Sequence, residues 1–166
     1  MKKRIVLFVV IILIVSLCCV LSASAYTSQQ ASATQPWCGY VLTSGSNLQV
    51  RICPTTNCEI VYSLPYGSPI QIIGQVAAEG GTWYRVEYDF DGSTGYVSAE
   101  YITAVSKQYG TAIAPSGLNF RDEETLTSLA LVPYGHSLPV AGGTNDWHIV
   151  VWGSSDGYVS RTYFTT

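Results

Sequence analysis

The chain has 166 residues, with 8 Lys plus Arg against 11 Asp plus Glu, and only 11% of its residues are charged. Three of the basic residues, Lys2, Lys3 and Arg4, sit at the extreme N-terminus, so residues 26–166 carry 5 basic and 11 acidic side chains, a formal charge of −6. That balance excludes nucleic acid as a partner, since binding it needs a basic patch, and disfavours charge-driven binding to anionic wall polymers.

Lys2, Lys3 and Arg4 precede an apolar run, Ile5 to Leu21, broken by a single Ser, and Ala23-Ser24-Ala25 then supplies a small-x-small cleavage site. Residues 1–25 therefore read as a signal peptide. The run spans 17 residues, longer than the usual signal core of about 7–15 and at the low end of a membrane span of about 17–25. An uncleaved anchor is the alternative, while bulky Leu17 before Cys18 argues against a lipid anchor. On either reading the remaining chain is expected outside the cytoplasm, secreted or in the cell envelope, touching membrane only through this segment. Residues 26–36, YTSQQASATQP, are polar and uncharged and read as a flexible linker.

From here the sequence says the same thing twice. Asn47–Arg51, NLQVR, is answered by Gly117–Arg121, GLNFR; Leu64-Pro65-Tyr66-Gly67 by Val132-Pro133-Tyr134-Gly135; Trp83 by Trp147; Gly95-Tyr96-Val97-Ser98 by Gly157-Tyr158-Val159-Ser160; Tyr101 by Tyr163. The offsets shrink steadily, 70, 68, 64 and 62 residues, as they do when a second homologous unit has lost loop residues. Two domains are expected, at 37–102 and 107–166, joined by the short link Thr103–Ser106.

No helical periodicity is sustained. Strands are predicted at Leu48–Ile52, Ile60–Leu64, Pro69–Gly74, Trp83–Tyr88 and Gly95–Ser98, each bounded by Gly, Pro, Asn, Asp or Ser. Trp83–Tyr88 alternates, placing Trp83, Arg85 and Glu87 on one face and Tyr84, Val86 and Tyr88 on the other. Asp91-Gly92 predicts a hairpin closed by a type I′ turn, which needs positive φ at both central positions. Short strands at this density predict a small closed barrel rather than an open sandwich.

The L-x-[VF]-R strand, the apolar strand ending at a turn Gly, the Trp, and the Gly-Tyr-Val-Ser close followed by an aromatic resemble the bacterial SH3-like domain, and both repeats carry them. The resemblance implies an all-β protein: two tandem SH3-like β-barrels of about five strands each after the signal segment. It also implies a short 3₁₀ turn before each last strand, at Ser98–Tyr101 and Ser160–Tyr163. Enzymes of this family usually carry a separate catalytic domain, and no residues here are left over to build one.

The copies differ in loops. Repeat one has Cys53-Pro54-Thr55-Thr56-Asn57-Cys58 after its Arg, where repeat two has Asp122-Glu123-Glu124-Thr125. Repeat one adds Ala77–Gly81 before Trp83, and repeat two replaces the Asp-Gly tip with Trp152-Gly153-Ser154-Ser155. Loops on a fixed scaffold carry specificity, so the copies are expected to share a fold without sharing a ligand surface. Cys38, Cys53 and Cys58 remain after the signal, an odd number. Pro54 and Asn57 favour a turn that closes Cys53 onto Cys58; pairing of Cys38 with one of them is the alternative, and a three-Cys zinc site is a poor third.

No catalytic residue, metal site or cofactor is assigned. His136 and His148 stand where repeat one has Ser68 and Tyr84, positions the fold fills without histidine. The candidate ligand-binding residues are the aromatics Tyr66, Trp83, Tyr96, Tyr101, Tyr134, Trp147, Tyr158 and Tyr163, whose flat faces suit sugars or peptide prolines. Trp83 and Trp147 are equally readable as core. Asp122, Glu123 and Glu124 could meet a cationic amine or simply form a solvated loop. The expected function is exported, non-catalytic binding of cell-wall peptidoglycan or its stem peptides. The alternative is a protein–protein adaptor of the envelope on an N-terminal membrane anchor.

Overall fold

Residues 35–78 and 80–166 are described from a computed structural model. The signal segment and most of the polar linker lie outside the described residues. Among the described residues no helix is long and apolar enough to cross a membrane.

The first sheet is built from β1 (Trp37–Val41), β2 (Leu48–Arg51), β3 (Ile60–Leu64), β4 (Pro69–Ala78), β5 (Gly81–Glu87), β6 (Thr94–Ser98) and β7 (Ile102–Ser106), with a 3₁₀ turn at Ala99–Tyr101. The second has β8 (Tyr109–Ala112), β9 (Leu118–Arg121), β10 (Ser128–Val132), β11 (Ser137–Gly143), β12 (Trp147–Trp152), β13 (Ser155–Ser160) and β14 (Phe164–Thr165), with its 3₁₀ turn at Arg161–Tyr163. The spatial orders are β3-β2-β6-β5-β4-β1-β7 and β10-β9-β13-β12-β11-β8-β14, so the second sheet repeats the first strand for strand. The fold is all-β, as the repeated motifs imply. Each sheet holds seven strands rather than about five, because the segments flanking the motifs, β1 with β7 and β8 with β14, also pair.

Alternation places the core. Leu48 and Val50 of β2, Ile70 and Ile72 of β4, Val86 of β5 and Val97 of β6 are all buried in one cluster with Val41 and Leu64. Phe120, Val132, Leu138, Val150, Val159 and Phe164 form its counterpart. Burying each such side chain contributes about 1.5–3 kcal/mol. The Pro-Tyr-Gly turns match in detail: Gly67 and Gly135 have φ of 80° and 79°, and their N–H groups donate to Val41 and Ala112 carbonyls.

Two turns depart from expectation. The Asp91-Gly92 tip is not a type I′ turn, because Gly92 alone has positive φ, at 83°. The loop is wider, held by Asp89 and Asp91 carboxylates accepting from the Phe90 and Ser93 N–H groups and by Tyr88 N–H donating to the Ser93 carbonyl. Local Asp hydrogen bonds compete successfully with the two-residue hairpin. Second, the extra residues before Trp83 extend the sheet, as β4 and β5 stay paired out to Ala78↔Gly81.

The barrels pack against each other through what repeat two lost. Trp152↔Ser155 closes a two-residue hairpin with Gly153 at φ 62°, the conformation a type II′ turn needs at its first central position. This tip docks on the first barrel. Gln71 N–H donates to the Gly153 carbonyl at 2.9 Å, Gly153 N–H donates to Gln71 Oε1 at 3.4 Å, and the Ser154 hydroxyl donates to the Tyr88 carbonyl at 3.0 Å. Phe90 from the wide loop packs on Phe120 and Trp152, with ring centroids 5.6 and 5.1 Å apart.

Candidate functional site

Trp83, the third residue of β5, lies opposite Ser98, the last residue of β6, and Tyr101 ends the 3₁₀ turn that follows. The Tyr101 carbonyl accepts from Leu42 N–H, which ties that turn to the loop between β1 and β2. These fixed points form the floor of a groove with two adjoining hollows of about 270 and 370 Å3, both lined by Thr56, Trp83, Ser98 and Tyr101. One hollow continues along Thr43–Asn47 to Gln49 and Arg51; the other runs under Thr55 and Asn57 to Glu100.

The cysteine loop is the wall. Cys53 and Cys58 are disulfide-bonded, with Cα atoms 5.8 Å apart, and Cys38 is free and buried. Arg51 Nη1 donates to the Cys58 carbonyl, so the motif arginine clamps the base of the loop it precedes. Arg121 does the same in repeat two, donating to the Leu126 carbonyl at 2.8 Å. The repeated Arg thus anchors a loop that does not repeat. Thr43 lines the groove, and its hydroxyl is buried with no hydrogen-bond partner among the described residues.

The aromatic candidates divide. Trp83 is 5% exposed, so it contributes an edge to the groove and packs with the rest of its ring, while Tyr101 is 40% exposed. Tyr96 lies in the sheet, paired with Arg51 and Arg85. Tyr66 and Tyr134 are exposed in their Pro-Tyr-Gly turns, and neither lines the groove. In repeat two, Trp147 is half-buried against Tyr158 at 6.1 Å, and Tyr163 is exposed. Asp122 turns inward on its own loop: Oδ1 accepts from Glu124 N–H, Thr125 N–H and the Thr125 hydroxyl, bonds that hold its carboxyl below the ordinary range. Glu123 and Glu124 are exposed. His148 is buried in β12 and His136 lies against Trp152 at 5.6 Å; burial pushes both imidazoles down.

Of the polar residues of the groove, Arg51 belongs to the repeated L-x-[VF]-R strand, whereas Thr43 and Thr56 lie in no repeated motif. The signal that points to them is the cysteine loop as a departure from the repeat.

Residues 46–103 match the family profile of the bacterial SH3 domain, a span that contains most of the groove. The first barrel is a bacterial SH3 domain. The second copies its strand order. Among solved structures, the chain is similar to NlpC2 from Trichomonas vaginalis, at 17% identity and a TM-score of 0.36, over 81% of this chain and 49% of that one. NlpC1 from the same organism is 15% identical with a TM-score of 0.35, over 82% and 48%. The chain therefore spans about half the length of those two. No curated protein matches.

Proposed function

We propose that the chain is an exported, non-catalytic binding protein whose first SH3 barrel holds cell-wall peptidoglycan or its stem peptide in the Trp83–Tyr101 groove. The observation that carries this reading is the groove itself: an aromatic floor on rigid strand ends, a disulfide-closed wall, and polar groups along its length. Ligand sites commonly combine an apolar base with a few placed polar groups. Non-catalytic binding is supported by the cysteines. Cys53 and Cys58 are bonded to each other, and burial pushes the Cys38 thiol up, away from the thiolate a nucleophile needs.

Co-sedimentation of the full chain with purified wall sacculi tests the reading. Retention at moderate salt that falls in Tyr101→Ala is expected. Absence of retention, or retention indifferent to Tyr101, counts against it.

A further inference from the structure

The second barrel has a hollow unrelated to the groove of the first. It has a volume of about 200 Å3 and is lined by Ser106, Gln108, Val140–Gly142, His148, Arg161 and the last residue, Thr166. Arg161 and His148 are not part of the repeat, since repeat one has Ala99 where Arg161 stands and Tyr84 where His148 stands. We propose that this hollow is a separate anion site that takes the carboxylate of a ligand on the Arg161 guanidinium.

Arg161 is held in place from one side only. Its backbone N–H donates to the Asp146 carbonyl at 3.0 Å, and its Nε donates to the carbonyls of Thr144 at 2.6 Å and Trp147 at 3.3 Å. Gly143, at φ 156°, lets the guanidinium lie against the backbone: a Cβ there would sit 3.0 Å from Nη2. Among the described residues, the hydrogen-bond partners of this guanidinium are carbonyls and no carboxylate. A guanidinium stays charged at any working pH, and with Nε committed its two Nη groups retain donors for an oxyanion.

His148 supplies the second, independent observation. It is 5% exposed, yet its Nδ1 has no hydrogen-bond partner among the described residues. A buried ring nitrogen left unpaired costs about 1–3 kcal/mol, so the wall of the hollow that His148 lines carries an unsatisfied polar group. A hollow of about 200 Å3 has room for a carboxylate together with the atoms that carry it. A carboxylate offers two oxygens in one plane, the arrangement a guanidinium binds best.

The test is a 1H–15N NMR titration of the full chain with sodium acetate, against sodium chloride at equal ionic strength and against sodium phosphate. Saturating shifts at Gly142, His148 and Arg161 with acetate are expected. Arg161→Lys, which keeps charge but loses the fork, should weaken them about tenfold. Arg161→Gln should abolish them while the rest of the spectrum keeps its dispersion. Tyr101→Ala, in the other barrel, should leave them unchanged. Acetate shifts no larger than those of chloride in the unmodified chain would overturn the proposal without recourse to any variant. Saturation by phosphate at lower concentration than acetate would overturn the carboxylate assignment, and loss of acetate binding in Tyr101→Ala would overturn the independence of the site.

Discussion

The indole Nε1 of Trp152 in the second barrel donates a 3.2 Å hydrogen bond to Glu87 Oε1 in the first, and both side chains are buried. Neither position advertises this. Glu87 is the last residue of β5, and Trp152 ends the strand where repeat two dropped its wide loop. Shortening that hairpin puts the indole against the partner barrel and gives a buried carboxylate its donor.

Glu87 makes the barrel contact sensitive to pH. Burial is the main cause that raises its carboxyl above the ordinary value of 4.5, opposed by the Trp152 bond and aided by the nearby Asp91 charge. A folded-state pKa above the unfolded one means the protonated acid is favoured in the fold. The stability it contributes is fully present below the unfolded pKa and is lost as pH rises through the folded one. Thermal melts from pH 4 to 7 should therefore show unmodified protein losing ground to Glu87→Gln as pH rises. Trp152→Phe, which leaves the carboxylate buried without its donor, should cost about 1–3 kcal/mol at neutral pH. A pH profile identical in the unmodified chain and Glu87→Gln would remove Glu87 from this role.

Gly153 should tolerate nothing larger. Its φ of 62° is left-handed, and a Cβ would stand 2.9 Å from the Asp89 backbone nitrogen. Left-handed backbone costs an L-residue about 1–2 kcal/mol before any clash. Gly153→Val should lower the denaturation midpoint by more than that strain alone, and should separate a single unfolding transition into two as the barrels lose their contact. Chemical denaturation followed by tryptophan fluorescence reads both effects; an unchanged midpoint would mean that the tip is free of the first barrel.

The barrels themselves were legible because their determinants are local and repeated. Alternating Val, Ile and Leu set the buried faces, and Gly67 and Gly135 mark equivalent turns. The Cys53–Cys58 pairing was legible for the same reason, as the four residues between them, with Pro and Asn at the bends, bring the Cα atoms together. What sequence could not give were contacts across 60 or more positions. Gly153 looked like a candidate specificity loop, yet it is the surface on which the barrels meet. Asp91-Gly92 carried a hairpin signature that the Asp89 and Asp91 side chains overrode. Arg51 looked like barrel consensus, and its role as clamp of the cysteine loop depends on where the Cys58 carbonyl arrives in space.

The acidic loop of repeat two should respond to pH in the opposite sense. The hydrogen bonds from Thr125 and Glu124 lower the Asp122 carboxyl below 3.8, so its contribution is present above the unfolded pKa and is lost as pH falls through the folded one. Asp122→Asn should flatten that acid limb in melts below pH 4. In the same loop Leu126 is the sole non-glycine among the described residues with positive φ, at 56°. Leu126→Asn, a residue that tolerates this conformation, should raise stability by about 0.5–1 kcal/mol. No gain would indicate that packing of the half-exposed leucine offsets the strain.

The disulfide should matter more to binding than to folding. On the chain-entropy account, closing so short a loop stabilises the fold by about 2 kcal/mol, and Cys53→Ser with Cys58→Ser should lower the melting temperature accordingly while the barrel persists. The loop it closes carries Thr55, Thr56 and Asn57 along the groove, so releasing it adds an ordering cost to ligand binding. Retention on wall sacculi should then fall more steeply in the double Ser variant than in Leu126→Asn or Gly153→Val, compared at a temperature where all remain folded. Arg51→Gln should reproduce part of that loss with the disulfide intact, because the clamp on the Cys58 carbonyl goes with the guanidinium. Equal retention in the double Ser variant and the unmodified chain would detach the cysteine loop from the binding surface.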